Sequence, residues 1–191
     1  GIYRIFDKSL KIDEIIERVS YAHKTSKKDT IRNVTFYDET LKLNMLNEKE
    51  IENDMDEALI NEDFKLYLQP KYDAETNKIN GAEALVRWEH STKGLMFPGK
   101  FIPVFEKNGF IIKLDMYILE QVCKFIKYNE NKGRRNIPIS VNISKLNFKR
   151  KDLKKHIMKI INKYGVNPAL IELEITESLI AEEPEEVIEV I

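Results

Sequence analysis

Three short stretches of the chain alternate apolar and polar residues in the same sense, and that shared parity restricts the fold more than any other feature of the sequence. Strand side chains repeat every two residues. Within Gly81 to Trp88, Glu83, Leu85 and Arg87 therefore point one way and Ala84, Val86 and Trp88 the other. In Ile139 to Ser144 the polar set is Ser140, Asn142 and Ser144; in Ile171 to Thr176 it is Glu172, Glu174 and Thr176. For one strand, alternation fits an edge with its charged face in water just as well. Buried charge is costly unless it is paired, hydrogen-bonded or metal-bound. Three strands of the same sense point to a sheet with helices on its apolar face and a polar face opposite. An open sheet with one wet face and a barrel with a polar interior both satisfy that pattern.

The order of elements narrows it. Phe64 to Gln69 alternates and ends at Pro70, Asp73 to Lys78 has turn chemistry, and Ile79 to Trp88 follows, which predicts an antiparallel pair. A loop with Gly94, Pro98 and Gly99 leads to a short helix at Phe101 to Lys107 and a long one at Leu114 to Asn129. Then come a strand at Ile137 to Ser144, a helix at Lys151 to Tyr164, a strand at Leu170 to Thr176 and a helix starting near Pro184. Strand and helix alternate from Ile79 onward, the mark of an α/β domain with a parallel sheet. Ahead of it lie a strand at residues 1–6, a helix from Asp13, a strand at Asn33 to Tyr37, a polar stretch from Asp38 to Asn47 and a helix at Glu48 to Asn61. These read as the end of an α+β domain. The boundaries are set at 1–45 for that piece, 46–62 for a connecting helix and 63–191 for the α/β domain.

Composition excludes some functions. The net charge of −1 gives no general attraction to DNA, RNA or an anionic membrane, and the run Lys149-Arg150-Lys151 reads as a solvated helix face. No apolar run approaches the roughly 20 residues that span a bilayer. A single cysteine, Cys123, forms no internal disulfide and reads as a core residue, which fits a cytoplasmic location. His23, His90 and His156 are scattered and read as structural or solvated.

On the polar face, Glu83, Asn142 and Glu174 could converge where the strands end. Two carboxylates and an amide oxygen are hard ligands that suit Mg²⁺ or Mn²⁺. Arg87, on the face of Glu83, could hold a phosphate in bidentate fashion. A hard metal beside an arginine is a constellation for phosphoester hydrolysis.

From about Asp56 the sequence resembles the EAL family of bacterial cyclic-di-GMP phosphodiesterases. The resemblance rests on Tyr67-Leu68-Gln69-Pro70, the whole of Gly81 to Trp88, Pro98-Gly99-Lys100-Phe101-Ile102-Pro103, Val141-Asn142-Ile143-Ser144 and Leu173-Glu174-Ile175-Thr176-Glu177-Ser178, in that order and spacing. It implies a TIM-like (β/α) barrel with an antiparallel first strand, hydrolysis of cyclic-di-GMP to linear pGpG, one or two Mg²⁺ or Mn²⁺ ions and an EAL–EAL homodimer. By position it makes Glu83, Asn142 and Glu174 metal ligands, with Glu83, Glu174 and Glu177 in the catalytic set. It makes Gln69, Leu85, Arg87 and Pro98 substrate contacts. Residues 1–45 more weakly resemble the tail of a GGDEF domain, through Gly1-Ile2-Tyr3, Ala22-His23-Lys24 and Phe36-Tyr37-Asp38. The family's next motif, a paired aspartate before Phe-Gly, is not in the chain, nor are its later lysine, glutamate and glutamine. About half a barrel is covered, so these 191 residues by themselves are expected to be inactive and poorly soluble, the activity belonging to a parent protein that could be membrane-anchored upstream. The alternative function is a degenerate EAL domain that serves as a non-catalytic cyclic-di-GMP receptor or an interaction module.

Overall fold

A computed structural model describes residues 1–26 and 34–175. The chain divides into two compact units, Gly1–Asp54 and Met55–Ile191.

In the first unit, helix α1 (Ile12–Ser26) is followed by the start of α2 (Glu39–Ile60). The expected strand over residues 1–6 is reduced to a parallel bridge between Ile2 and Phe36. The extended segment after Phe36 ends because Asp38 caps a helix. Its Oδ1 accepts from the Leu41 N–H at 2.7 Å and from the Thr40 hydroxyl at 2.5 Å. The same cap corrects the expected helix start at Glu48: the polar stretch from Asp38 to Asn47 is mostly helix. Replacing Asp38 by Ala should destabilise the start of the helix, seen as a lower urea midpoint in helical circular dichroism.

The second unit holds a five-stranded sheet. Its path is β1 (Phe64–Tyr72), β2 (Ile79–His90), β4 (Ile139–Asn142) and β5 (Ile171–Glu174), with β3 (Gly94–Met96) also paired to β2. The expected hairpin is present: β1 and β2 are antiparallel, joined by a turn in which Asp73 Oδ1 accepts from the Thr76 N–H at 2.7 Å. β4 pairs with β2, and β5 with β4, in parallel. β1 runs two residues past Pro70, where the sequence reading ended it. Among the described residues β1 is an edge strand, where proline's missing N–H is tolerated. The short β3 lies in the stretch expected to be a loop, and the one-turn helix α5 (Lys145–Phe148) lies between the expected strand at Ile137 to Ser144 and the expected helix from Lys151.

Helices α3 (Pro98–Asn108), α4 (Ile111–Asn131) and α6 (Leu153–Tyr164) complete the unit. The apolar parity of β2 meets them as expected. Trp88 is 1% exposed, with its ring 5.0 Å from Phe64, 5.7 Å from Phe101 and 5.9 Å from Phe105. Burying a large aromatic side chain typically contributes more than about 2 kcal/mol, so this cluster anchors the sheet to α3. Val141 and Ile139 continue the buried face on β4. Cys123 is buried in α4 and burial pushes its thiol up to about 11, the behaviour of a core residue. Among the described residues no helix is long and apolar enough to cross a membrane.

Candidate active site

Register assembles the polar face. Gln69 lies opposite Glu83 and Tyr67 opposite Leu85 across the β1–β2 pair. Ser140 lies opposite Glu83, and Asn142 opposite Glu174. Glu83 is in the middle of β2, but β4 pairs with β2 only over Ala82 to Ala84, and Asn142 and Glu174 are the last residues of their strands. Glu83 therefore sits two residues short of the ends of its parallel neighbours, while its own strand continues into the arm that pairs with β3.

Two contacts organise the face. Asn142 Nδ2 donates to Glu83 Oε1 at 2.9 Å. Lys71 Nζ donates to Ser140 Oγ at 2.7 Å and also to Glu174 Oε1. The hydrogen bond from Lys71, with help from Ser140, holds the Glu174 carboxyl below its ordinary range; that same bond raises Lys71. A cleft of about 300 Å³ opens near Asn142 and Glu174 between the sheet and helices α3 and α4; its wall is mostly apolar, with Ala84, Val86, Ile111 and Leu114, and also includes Leu85, Pro98, Asn142 and Glu174.

The cleft thus gathers Leu85, Pro98, Asn142 and Glu174, with Glu83 joined through Asn142 and Gln69 set beside Glu83 by register. Arg87 lies further along β2. Its Nη1 donates to the Val86 carbonyl at 2.8 Å, and its guanidinium lies 5.0 Å from the Phe97 ring and 5.7 Å from the Tyr67 ring. Glu177 and the helix expected near Pro184 lie outside the described residues.

Two residues of this region escaped the sequence reading. Lys71 was lost when Pro70 was taken as the end of its strand; continuing the parity of Tyr67 and Gln69 would have found it. Asp115 sits inside the apolar stripe of α4, between Ile111 and Ile118, and a carboxylate there is itself a signal. Its Oδ2 accepts from the Ser144 N–H and from Asn147 Nδ2, each at 2.8 Å. Burial pushes its carboxyl up, and the hydrogen bonds from Ser144 and Asn147 offset only part of that.

Glu83, Asn142 and Glu174 offer hard oxygen donors, a set that fits Mg²⁺ or Mn²⁺ by type. Among the described residues no group of three or more His, Cys, Asp or Glu side chains is gathered for a metal. The third donor of this set is an amide, and Glu174 is already engaged by Lys71.

The profile of the EAL domain matches residues 52–191. The chain belongs to the EAL domain family. Among curated relatives, the signaling protein YkoW of Bacillus subtilis is 35% identical over 173 residues, covering 89% of this chain and 21% of that protein. The bifunctional diguanylate cyclase/cyclic di-GMP phosphodiesterase MucR of Pseudomonas aeruginosa is 32% identical over 152 residues, covering 79% of this chain and 22% of that protein. The chain spans about a fifth of the length of these relatives. Among solved structures, the PaMucR phosphodiesterase in complex with c-di-GMP superposes with a TM-score of 0.69 at 30% identity, over 74% of this chain and 57% of that one. The Xanthomonas citri FimX EAL domain in complex with c-diGMP superposes at 0.66 over 76% of this chain and 56% of that one; at 18% identity it shows the fold alone. EAL domains are TIM-like barrels, and the sheet described above is part of one, with β1 running antiparallel to β2. In such barrels the active site is built at the C-terminal ends of the strands, where Asn142 and Glu174 stand.

Proposed function

We propose that this EAL domain hydrolyses one phosphodiester of cyclic-di-GMP, giving linear pGpG, as part of a longer signalling protein. The observation that carries the reading is the cluster in which Asn142 and Glu174, paired at their strand ends, are joined to Glu83 by the Asn142 hydrogen bond. The phosphodiesterase names of its relatives support it. A bound Mg²⁺ or Mn²⁺ would supply an activated water and neutralise charge on the phosphate. Glu83, Asn142 and Glu174 are the side chains that would hold it. Gln69, next to Glu83 across β1, orients substrate. Arg87 binds a phosphate oxygen, and the rings of Phe97 and Tyr67 keep its guanidinium turned toward the polar face. Glu83 and Arg87 are four residues apart along the strand, about 13 Å of backbone. A two-phosphate ligand suits that separation better than a lone phosphate. In the overall reaction water adds across one P–O bond; the 5′ phosphate becomes a monoester and the 3′ oxygen leaves as a hydroxyl. Glu177 belongs with this catalytic set by its place in the motif.

We further infer that residues 1–45 are the tail of a GGDEF domain, 46–62 a connecting helix and 63–191 the EAL portion. Support comes from the helix between the bridged segments at Ile2 and Phe36, and from the YkoW alignment, which is longer than residues 52–191. An EAL–EAL homodimer and a cytoplasmic location complete the proposal.

The test is cyclic-di-GMP turnover with Mg²⁺ by the full-length protein beside its Glu83→Ala variant. pGpG is expected from the wild type, with a rate lowered more than about a hundredfold in the variant, beyond the range for groups that only support a ligand. Equal rates would remove Glu83 from the metal site. Binding without turnover would turn the reading toward a receptor, and no binding toward an interaction module.

A further inference from the structure

We propose that the Lys71 ammonium is a built-in counterion for Glu174, which a divalent cation must displace, so that Lys71 sets how weakly this site takes up metal. The proposal rests on the reading of Glu174 as a metal ligand.

Lys71 is placed for this by the sheet. Its register partner on β2 is Gly81, and it shares the polar face with Gln69 and Glu83. The lysine stem lies over Gly81: a Cβ there would stand 3.8 Å from Lys71 Cδ and 3.9 Å from its Cβ, at ordinary contact. The stem crosses β2 and delivers the ammonium to two further strands, onto Ser140 of β4 and Glu174 of β5. Ser140 is fully buried, and its hydroxyl lies 3.4 Å from the Ala82 carbonyl that accepts from it. The ammonium therefore has a fixed hydroxyl acceptor as well as a carboxylate. Glu172 and Glu83 add attraction from further off. One positive charge thus stands among three carboxylates, two of them assigned above to the metal.

The two cations compete for the same electrons. An ammonium hydrogen bond on Glu174 Oε1 occupies a lone pair that a metal would use, and the positive charge repels a divalent ion nearby. The Lys71 and Glu174 side chains are 38% and 35% exposed, so a cation from solvent has access and the lysine has room to withdraw. A partly exposed ion pair contributes about 1 kcal/mol or less to stability, so a divalent ion held by several oxygens can displace it. The site is then closed by its own lysine until metal arrives.

The experiment is Mn²⁺ binding to the full-length protein, with free Mn²⁺ followed by electron paramagnetic resonance and heats by titration calorimetry. Lys71→Met keeps the stem and removes the charge; its Mn²⁺ dissociation constant should fall by about tenfold. The gain should vanish in Lys71→Met/Glu174→Gln. Ser140→Ala removes one anchor of the ammonium and should give a smaller gain in the same direction; it decides the matter if Lys71→Met fails to fold by circular dichroism. An unchanged or weaker affinity in a folded variant, with wild type binding Mn²⁺, overturns the proposal alone and leaves Lys71 a plain ion pair. Uptake by the Lys71→Met chain and not by wild type supports it in its strongest form. No Mn²⁺ uptake by either chain overturns the metal reading, and this proposal with it.

Discussion

Replacing Trp88 by Ala is expected to destabilise the second unit by about 3–5 kcal/mol, a large part of the roughly 5–15 kcal/mol that holds a domain together. The indole is almost fully buried and touches Phe64 of β1 and Phe101 and Phe105 of α3. Removing it opens a hole between sheet and helix whose walls are rigid rings that collapse poorly. Trp88→Phe keeps a ring at the same place and should lose much less. Urea titration of the full chain, followed by far-ultraviolet circular dichroism, reads both. A loss below about 1 kcal/mol for the alanine variant would mean that the aromatic cluster is not the keystone of this core. Trp88 is the chain's single tryptophan, so wild-type fluorescence reports on that cluster alone.

The second large effect is expected at Asp115. Asp115→Ala leaves the Ser144 N–H and one N–H of Asn147 Nδ2 without their carboxylate, while Nδ2 keeps the Ile112 carbonyl at 3.3 Å. A buried donor left unpaired costs about 1–3 kcal/mol, and a loss of about 2–4 kcal/mol follows. Ser144 comes two residues after Asn142, so the same change should loosen the hold of Asn142 on Glu83 and weaken the cyclic-di-GMP binding proposed above. Asp115→Asn retains one acceptor oxygen and should lose less. It also has a distinct pH signature. Burial raises the folded-state carboxyl, and like charge on Glu106 adds to the shift. As pH rises, the unfolded chain releases its proton first. The contribution of this group to stability is complete below the unfolded value and is lost as pH climbs through the raised folded value. Wild type should therefore lose stability relative to Asp115→Asn across that window. Parallel stability–pH curves for the two chains would sink the assignment.

The shared face of the candidate site is legible in the sequence, for a simple reason. Parity is a local property of the chain, so Glu83, Asn142 and Glu174 could be put on one face from their own strands. Their convergence depended on register, and register is not local. Only the parallel register of β4 against Ala82 to Ala84 brings the end of that strand near enough to a mid-strand glutamate for Asn142 to reach it. Lys71 was missed because proline usually terminates a strand, and the exception requires knowing that β1 is an edge. Asp115 was missed because a helical stripe is recognised by its majority, while its chemistry lies in the one residue that departs from it. The early start of α2 turned on a single cap at Asp38, and β3 and α5 are too short for a period to register.

The two faces of β2 also restrict how such a gene can vary. Side chains on this strand serve the aromatic core and the polar site at alternate positions. Inserting or deleting one codon between Ala82 and Trp88 would exchange the two sets downstream, sending a guanidinium toward the phenylalanines and an indole onto the polar face. A change of two codons would preserve the parity and shift only the spacing. Lineages carrying this strand can drift by substitution on either face, but frame-preserving length changes there should survive in even steps.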